Sequence, residues 1–332
     1  MAVTDVTETT IQTAKKSAIW RDMAIIAAAL IALTPLLAIH RMTDFMIFCI
    51  FVMSFDLLYG YMGRLSFGQM LYLGTGVYVS TLFSLHVSPN PILSMLAGIA
   101  GGAIVAGILG LLVARLSDAP FALTNLAFNQ VGFFLIGSAF QKVTHGEDGL
   151  SCGVEPWGFL DFANETVAYG FVLACLLFTF FVLKTLTNSP YGIIIRSIKE
   201  NEVRVKFLGY NVYFYKWLTF VLAGSFAALA GTLYTLYIGF VSPVFIHPLS
   251  NVDVIFATLI GGAGNLYGAL AGGVFFMVLR DSLSTHIPQW EWILGLLLLI
   301  VVFYLREGIT GFCKSLSGAV ARKMAQRKAA EA

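Results

Sequence analysis

Long apolar stretches alternate with short polar connections along most of the chain, from residue 22 to residue 306. Each stretch is continuous, and about 20 apolar residues are what a helix needs to cross a bilayer. We predict nine hydrophobic helices, at 22–40, 44–61, 66–87, 91–115, 119–141, 166–185, 213–240, 251–280 and 290–306. The predicted fold class is therefore all-α, a polytopic helical membrane protein with about 8–10 transmembrane segments, including a glycine-broken or re-entrant element.

The composition also favours a membrane protein. Of 332 residues, 58% are hydrophobic and 11% are charged, whereas a soluble domain carries about 25% charged residues. The four cysteines lie far apart, and their spacing does not resemble a metal site. We therefore expect neither a disulfide nor a bound metal.

Basic residues indicate on which side of the membrane each connection lies, because cytoplasmic loops carry an excess of Lys and Arg. The basic residues near the start place a polar N-terminal segment, 1–18, in the cytoplasm. Counting forward, the acidic 141–165 loop is periplasmic and the basic 186–212 loop is cytoplasmic. Within the periplasmic loop, Gly146 and Asp148 either shape a gate or form an ordinary tight turn.

The basic tail, 307–332, should also be cytoplasmic, but nine single crossings would place it outside. The conflict disappears if 251–280 enters the membrane and returns to the same face. A cluster of glycines within 261–268 supports a break, because each glycine in a helix interior costs about 1 kcal/mol relative to alanine. The transmembrane domain then covers 19–306, with both termini in the cytoplasm.

Broken backbone at membrane depth survives where it is buried in protein or lines a cavity. We therefore predict that Gly262, Gly264 and Asn265 lie beside a solute pathway, with close helix packing on small residues as the alternative. A second glycine-interrupted segment, in the first half of the chain, carries Ser66 and Gln69. Paired interrupted segments of this kind point to a substrate site near the membrane midplane.

Polar side chains inside the predicted spans are further candidates for the pathway. Asn125, Asn129 and Gln130 interrupt an apolar span, and the two asparagines share one helix face. They either bind a zwitterionic or amide solute or link helices by hydrogen bonds worth about 0.6 kcal/mol on average. Asp56, a carboxylate well inside a span, is a functional candidate unless it pairs with Arg64 or lies near the interface.

The segment 189–216 is the longest charged stretch between apolar spans. A Ser-Pro pair at its start suits a first helical turn, and a second short helix is expected over 200–208. Gly209 fits the position after a helix end that needs a left-handed backbone, and Asn211 can cap the next membrane helix. A transporter that is driven by a separate protein subunit needs a structured surface outside the bilayer to which that subunit can bind. The alternative is an ordinary solvated connector.

Several motifs resemble those of the branched-chain amino acid ABC transporter permeases, the family that includes high-affinity branched-chain amino acid and urea-amide permeases. The matches follow the right order from about residue 45 to residue 306. They comprise Leu65-Ser66-Phe67-Gly68-Gln69, Thr144-His145-Gly146-Glu147-Asp148-Gly149-Leu150, Arg196-Ser197-Ile198-Lys199-Glu200-Asn201-Glu202, Phe207-Leu208-Gly209-Tyr210-Asn211, the stretch 216–243 and Gly261-Gly262-Ala263-Gly264-Asn265.

The resemblance implies that the 186–212 loop couples the membrane domain to an ATPase. The residues it assigns to this contact are Arg196, Glu200, Glu202, Arg204, Phe207, Leu208 and Gly209. The family usually has small alanines where this chain has Arg204 and Val205, so we expect the docking surface to differ in detail.

The resemblance also implies partners at a bacterial inner membrane. These are a second, homologous permease subunit, two cytoplasmic ATPase subunits and a periplasmic substrate-binding protein, with no nucleic acid among them. The chain carries no G-x-x-x-x-G-K-[ST] phosphate loop. We therefore expect no enzyme activity and no cofactor on this chain, with ATP and Mg²⁺ bound by the partner ATPases.

The implied function is the membrane permease of an ATP-driven importer for branched-chain or other hydrophobic amino acids. A urea or short-amide permease of the same family is the nearest alternative. A stand-alone secondary transporter or channel would need ionisable residues inside the membrane for ion coupling, and it would leave the charged 189–216 segment unexplained. A membrane-embedded enzyme lacks support, because no paired carboxylates, histidine cluster or activated nucleophile occurs in the spans.

Overall fold

The structure is a computed structural model that describes residues 19–34, 37–156, 161–286, 289–290, 292–296, 299, 308–309 and 311. The expected polar N-terminal segment, 1–18, lies outside the described residues, as do most of the basic tail and most of the predicted helix 290–306. Cys313 also lies outside them. The other three cysteines are free.

The described chain is almost entirely helical. The helices are α1 (19–34), α2 (Ile39–Asp56), α3 (Gln69–His86), α4 (Pro91–Val113), α5 (Asp118–Phe134), α6 (Gln141–Thr144), α7 (Glu165–Thr187), α8 (Pro190–Phe207), α9 (Val212–Ile238), α10 (Asn251–Gly261) and α11 (Leu266–His286). Two short strands, β1 (Leu150–Ser151) and β2 (Phe240–Val241), pair antiparallel. Short turns of π-helix or 3₁₀-helix occur at Leu57–Tyr61, Leu135–Ala139, Gly146–Asp148, Pro243–Ile246 and Pro248–Ser250.

Six helices of the described chain are long and apolar enough to cross a membrane. They are Ile39–Tyr61, Pro91–Val113, Asp118–Ala139, Glu165–Thr187, Val212–Ile238 and Leu266–Thr285, with a shorter apolar helix at Pro248–Gly261. The protein is thus a polytopic helical membrane protein, as the hydrophobic pattern predicts. The predicted break within 251–280 is also present, because α10 ends at Gly261 and α11 begins at Leu266.

Contacts define two opposite ends of the bundle. At one end, which we name the α8 face, α8 touches the end of α2 through Lys199 Nζ and the Gly60 carbonyl, 2.7 Å apart. At the other end, which we name the β face, β1 pairs with β2, and Ser84 near the end of α3 lies 3.3 Å from Cys152. The loop that contains Gly146 and Asp148 lies at the β face.

Two helices, α3 and α10, begin near the middle of the bundle and run in opposite directions. The side chain of Gln69, the first residue of α3, donates to the carbonyl of Ala223 near the middle of α9. The backbone N–H of Met70 donates to the side chain of Asn251, the first residue of α10. From this meeting point α3 leads to the β face and α10 to the α8 face. With 11 residues, α10 spans about 16 Å, roughly half of a bilayer core.

Close helix packing in the centre depends on small residues. A Cβ placed on Gly76 of α3 would lie 2.3 Å from the carbonyl oxygen of Ala228 in α9, and one on Gly102 of α4 would lie 2.2 Å from the Cβ of Ala228. Interfaces between membrane helices are enriched in small residues for this reason. Among the long helices α2 and α9 are the most buried, whereas α4, α5 and α7 leave broad faces exposed.

Candidate functional site

The local sequence explains the shape of α8. The helix starts at Pro190 and is interrupted at Asn201, whose φ of −158° and ψ of 95° are not helical. The side chain of Asn201 accepts from the N–H of Arg204 at 2.9 Å, so it caps a second helical segment. Gly209 follows the helix end with φ +85°, and Asn211 accepts from the N–H of Phe214 to cap α9. The predicted pair of short helices, the left-handed glycine and the Asn211 cap are therefore confirmed. Ser189, which the sequence suits to cap the start of α8, instead donates its hydroxyl to the Leu186 carbonyl at 2.6 Å and does not cap the helix.

The inner side of α8 anchors it to the bundle. Ile195, Ile198 and Val205 are buried, and the last two pack with Val212 at the start of α9. The guanidinium of Arg196 lies 4.9 Å from the ring centroid of Tyr61, at the end of the π-helical turn after α2. The segment 189–211 is therefore fixed to α2 and α9 by apolar, cation–π and hydrogen-bonded contacts.

Glu202 is the centre of an ionic cluster on this inner side. Its carboxylate oxygens lie 2.8 Å from Arg64, 2.6 Å from Lys216 and 3.0 Å from Lys206. Arg64 also pairs with Asp118, at the start of α5, at 2.6 Å. Burial alone would raise the pKa of Glu202, but hydrogen bonds and positive charge from Lys216 and Lys206 outweigh it and lower the pKa below its ordinary value of 4.5.

This cluster differs from what the sequence predicts for Glu202 and for Arg64. Glu202 joins α8 to the chain before α3, and it does not project outward with Arg204, Phe207 and Leu208. Arg64 pairs with Asp118 and Glu202, whereas Asp56 accepts a backbone N–H. The alternative in which Asp56 is balanced by Arg64 is therefore wrong.

The outer side of α8 presents apolar side chains to the surroundings. Val203, Phe207 and Leu208 are 60%, 88% and 70% exposed. Arg204 and Gly209 lie beside them and are also exposed, as are Arg196 and Glu200 nearer the middle of the helix. We call Val203, Arg204, Phe207, Leu208 and Gly209 the α8 tip.

The glycine-broken turn is linked to α8 through the end of α2. Asp56 Oδ1 accepts from the N–H of Gly264 at 2.8 Å, and Lys199 donates to the carbonyl of Gly60 one turn later in α2. A Cβ on Gly60, in the π-helical turn that ends α2, would lie 2.2 Å from the Gly264 nitrogen, so this end of α2 packs directly against the glycine-broken turn. Gly262 and Gly264 have φ of +102° and +86°, a region that favours glycine. Asn265 accepts from the N–H of Tyr267 and so begins α11.

The predicted polar residues of the first half meet where α3 and α10 begin. Ser66, Gln69, Asn125 and Asn129 are all buried there. The Asn129 amide donates to the carbonyl of Ile246 and its oxygen accepts from Asn251, so Asn129 links three segments of the bundle. The sequence pattern does not single out Asn251, because its partners Met70 and Asn129 lie 181 and 122 positions away along the chain.

Gln69 and Asn125 are less completely satisfied than Asn129. The amide nitrogen of Asn125 donates to the Phe121 carbonyl of its own helix, while its oxygen and the Gln69 oxygen have no partner among the described residues. Gly68 lies against Asn125, since a Cβ there would meet the Asn125 backbone oxygen at 2.5 Å. The structure thus divides the predicted pathway residues into a central amide cluster and a turn at the α8 face.

The remaining predicted site residues lie apart from these two groups. Gln130 is exposed on the outer side of α5, between the exposed apolar residues Leu123 and Phe134. At the β face Gly146 is buried with φ +56° and Asp148 is exposed. Gly149 follows with φ +74° directly against β2. The strand pair therefore fixes the Gly146–Asp148 turn to the segment that follows α9.

A cavity of about 510 Å³ opens between α2, α9 and α11 and reaches the start of α10. Its walls include Asp44, Asp253 and Arg280, and the last two form an ion pair at 3.1 Å. The sequence pattern does not predict this group. Asp44 lies at a predicted helix start, and Asp253 and Arg280 are 27 residues apart in a segment treated as one element.

Comparison with known proteins identifies the family. Residues 37–303 match the family described as "Branched-chain amino acid transport system / permease component". The chain belongs to this family. The members of this family are transport permease components and not enzymes. The resemblance found in the motifs of the chain is confirmed.

Curated relatives of this permease have divergent sequences. The chain is 23% identical over 293 residues to the high-affinity branched-chain amino acid transport system permease protein LivM of Escherichia coli, covering 80% of this chain and 68% of the relative. It is 24% identical over 321 residues to the probable branched-chain amino acid transport permease protein LivM of Methanocaldococcus jannaschii, covering 80% and 90%. It is 30% identical over 239 residues to the fructose import permease protein FrcC of Rhizobium meliloti, covering 66% and 64%. No solved structure matches the chain.

Proposed function

We propose that this permease is the membrane subunit of an ATP-driven importer and that the α8 tip docks into an ATPase subunit. The observation that carries the proposal is the exposed apolar surface of Val203, Phe207 and Leu208 on a helix whose other side is fixed to the bundle. Exposed apolar groups on an anchored charged helix are typical of a protein contact. Arg204 adds a positive charge to this surface. ATP and Mg²⁺ would be bound by the ATPase.

The proposal orients the protein in a bacterial inner membrane. The α8 face, with its basic residues, is cytoplasmic and the β face is periplasmic. The 141–165 loop is then the surface that meets a periplasmic substrate-binding protein, and the Gly146–Asp148 turn lies at that entrance. Because β1 holds this loop to β2, a binding protein pressing on the loop would also act on the 239–250 segment leading to α10.

A second permease subunit would complete the pathway beside α5. Gln130 is exposed in the middle of an otherwise apolar helix face, where lipid contact is costly for a polar amide. We propose that this face of α5 meets the homologous partner permease and that Gln130 contacts the solute between the two subunits. The relatives named LivM and LivH support a system with two kinds of permease.

Movement of the α8 tip would be transmitted to the glycine-broken turn through a few direct contacts. Arg196 and Lys199 hold the end of α2, and Asp56 in α2 holds Gly264. A shift of α8 driven by ATP binding would therefore move α2 against the α10–α11 turn. We propose that this shift changes the packing where α3 and α10 begin and so opens the pathway to one side at a time.

The proposed solutes are branched-chain or other hydrophobic amino acids, supported by the family description and by the two LivM relatives. Uptake into cells or proteoliposomes carrying the assembled transporter tests this, with L-leucine, urea and fructose supplied separately. ATP-dependent accumulation of L-leucine is expected. Accumulation of urea or fructose without L-leucine would overturn the choice of solute and leave the importer assignment intact.

Docking is tested by co-purification through an affinity tag on this chain. Phe207→Ser and Val203→Ser should remove most of the ATPase that co-purifies with the wild-type permease. Val87→Ser is the matched control, because Val87 is 68% exposed at the opposite face. Full co-purification by both α8 variants, at equal membrane levels, would show that α8 is a solvated connector and not a docking element.

A further inference from the structure

The cavity between α2, α9 and α11 combines charged groups of both signs with an apolar wall. Asp44, Asp253, Asp281 and Arg280 line one part of it, and Phe48, Phe51 and Met277 line another. A smaller cavity of about 430 Å³, lined by His40 and Arg41, shares Asp44 and Asp281 with it and continues toward the β face. A charged group at membrane depth is normally found where it lines a water-accessible cavity or a functional site.

Arg280 retains hydrogen-bonding capacity in this cavity. It pairs with Asp253 through one nitrogen and lies 5.7 Å from the ring centroid of Trp290. Its side chain is 41% exposed, and a guanidinium has five N–H donors in a fork that suits a carboxylate. A second carboxylate can therefore bind beside Asp253.

The same charged part of the cavity also supplies negative charge. Asp44 interacts with the hydroxyl of Tyr234 and feels the charges of both Arg280 and Asp281. Three carboxylates and one guanidinium leave the lining with a net negative charge, which favours an ammonium group and disfavours a solute that is only an acid.

We propose that this cavity is a transient binding site for a hydrophobic α-amino acid on its way from the β face. The ammonium group binds at Asp44, the carboxylate takes an N–H of Arg280, and the side chain packs on Phe48, Phe51 and Met277. The proposal rests on the proposed function and deepens it, because it gives the permease a site of its own that recognises both charged groups of an amino acid. The volume of about 510 Å³ is within the range of roughly 300–1,000 Å³ that small-molecule sites occupy.

The position of the cavity suits a stage before translocation. Its lining includes Met70 and Ser250, at the starts of the two oppositely directed helices α3 and α10. A solute bound there lies next to the point where the starts of α3 and α10 meet. Rearrangement of that meeting point would therefore release the solute from the cavity toward the α8 face.

Equilibrium binding of radiolabelled L-leucine tests the proposal on the transporter purified through this chain, in nanodiscs without nucleotide or binding protein. If no ATPase co-purifies, the full chain alone is used. Competitors are 4-methylpentanoate, which lacks the ammonium group, 3-methylbutylamine, which lacks the carboxylate, and 4-methylpentanol, which lacks both. We expect each to compete at least about tenfold more weakly than L-leucine, since each forfeits a charge-assisted contact.

Two variants remove the charged groups that the proposed site uses. Asp44→Asn and the double variant Arg280→Gln/Asp253→Asn should each weaken L-leucine binding roughly ten- to hundredfold, whereas Arg115→Gln should bind as the wild type does. Arg115 is a suitable control because it stacks on Tyr213 at the α8 face. Gel-filtration profiles matching the wild type establish that the variants are folded.

The outcomes separate the two proposals. No L-leucine binding by the wild type, competition by 4-methylpentanol equal to that by L-leucine, or full binding by both variants would overturn the site. Binding with the expected pattern but no ATP-driven uptake would leave the site standing and refute the importer assignment. Normal uptake by Asp44→Asn and by the double variant would refute the site and leave the importer assignment standing.

Discussion

The contribution of Glu202 to stability depends on the charged groups that surround it in the fold. Considered from the sequence, it is a charged residue in a cytoplasmic loop, where an exposed ion pair is worth about 0–1 kcal/mol. In the structure its carboxylate faces three cations, and the side chains of Arg64 and Lys216 are only 9% and 6% exposed. Lys216 depends on Glu202 for compensation, and Arg64 has besides Glu202 only the exposed Asp118 as an ion-pair partner among the described residues. The contribution of Glu202 is therefore larger than that of an exposed pair.

Charge reversal at Glu202 should therefore be severe. Glu202→Lys places a fourth cation among Arg64, Lys206 and Lys216, and we expect a loss of stability approaching the roughly 3–5 kcal/mol that follows when a buried pair loses one partner. Thermal unfolding of the purified permease in detergent measures it. Glu200→Lys is the matched control, because Glu200 is exposed two residues away. Equal melting temperatures for the two variants would contradict the structural role of Glu202.

The lowered pKa of Glu202 predicts a pH dependence of its own. A carboxyl whose pKa is lower in the folded than in the unfolded state stabilises the fold above its ordinary value of 4.5, and this contribution is lost as pH falls through the folded pKa. The wild type should therefore lose stability below about pH 4.5 more steeply than Glu202→Gln. Unfolding followed from pH 7 to pH 3 in both proteins tests this, and parallel curves would refute it.

Substitutions at Gly209 test the effect of backbone strain, because the position has room for a side chain. Its φ is +85°, and a Cβ there would meet no atom within 4 Å, so any penalty on substitution comes from the backbone alone. Gly209→Val should misorient the α8 tip, because a β-branched residue resists positive φ, whereas Gly209→Asn should be tolerated. Substrate-stimulated ATP hydrolysis by the assembled transporter is the measurement. Equal loss in both variants would point to a steric contact with the ATPase.

Among the elements, those with local signals could be predicted and those set by distant contacts could not. The Ser-Pro start of α8, the glycine after its end and the cap of α9 are properties of neighbouring residues, and all are present. The glycine cluster within 261–268 also predicted the break after Gly261. The hydrophobic pattern did not predict that α10 begins with Asn251 against Met70, because that hydrogen bond joins residues 181 positions apart. The cluster of Asp44, Asp253 and Arg280 was missed for the same reason.

The turn between α10 and α11 is the element whose integrity we expect to matter most for transport. Gly264 combines φ +86° with a close approach to Gly60, where a Cβ would lie 3.0 Å from the Gly60 oxygen. Gly264→Ala should disturb the Asp56 hydrogen bond and lower uptake at least severalfold, at a cost of about 1–2 kcal/mol for the left-handed backbone. Uptake of L-leucine at matched membrane levels is the readout.

The control for Gly264→Ala must be a glycine with free space. Gly102 is unsuitable because a Cβ there would lie 2.2 Å from that of Ala228. A Cβ at Gly170 in α7 meets nothing within 4 Å, so Gly170→Ala should transport normally. Normal uptake by Gly264→Ala as well would mean that the turn is an ordinary packing feature.

At the scale of the whole molecule, the two interrupted segments are arranged with opposite directions. After α2 reaches the α8 face, residues 62–68 return to the middle and α3 continues to the β face. After α9 reaches the β face, residues 239–250 return to the middle and α10 continues to the α8 face. Transporters built this way place their binding sites near the midplane, where discontinuous helices meet. The central amide cluster and the floor of the charged cavity both lie there.

The same arrangement predicts that both chain ends lie on the α8 side of the membrane. Near the start of the chain, Asp22 in α1 accepts a hydrogen bond from the Tyr267 hydroxyl at the start of α11, which lies at the α8 face. Near the end, a Cβ on Gly308 would lie 2.4 Å from the nitrogen of Gly262, beside the same turn. Because α11 ends at the β face, the chain must cross once more before Gly308, which restores an even number of passages.

Cysteine labelling in a variant without the native cysteines tests this topology. Arg322→Cys and Glu200→Cys should react with a membrane-impermeant maleimide only after the cells are lysed, whereas Glu155→Cys, exposed at the β face, should react in intact spheroplasts. The basic tail is then held on the side where Lys and Arg accumulate. Labelling of position 322 from outside, with position 200 still protected, would require an odd number of passages and would contradict the placement of Gly308 beside Gly262.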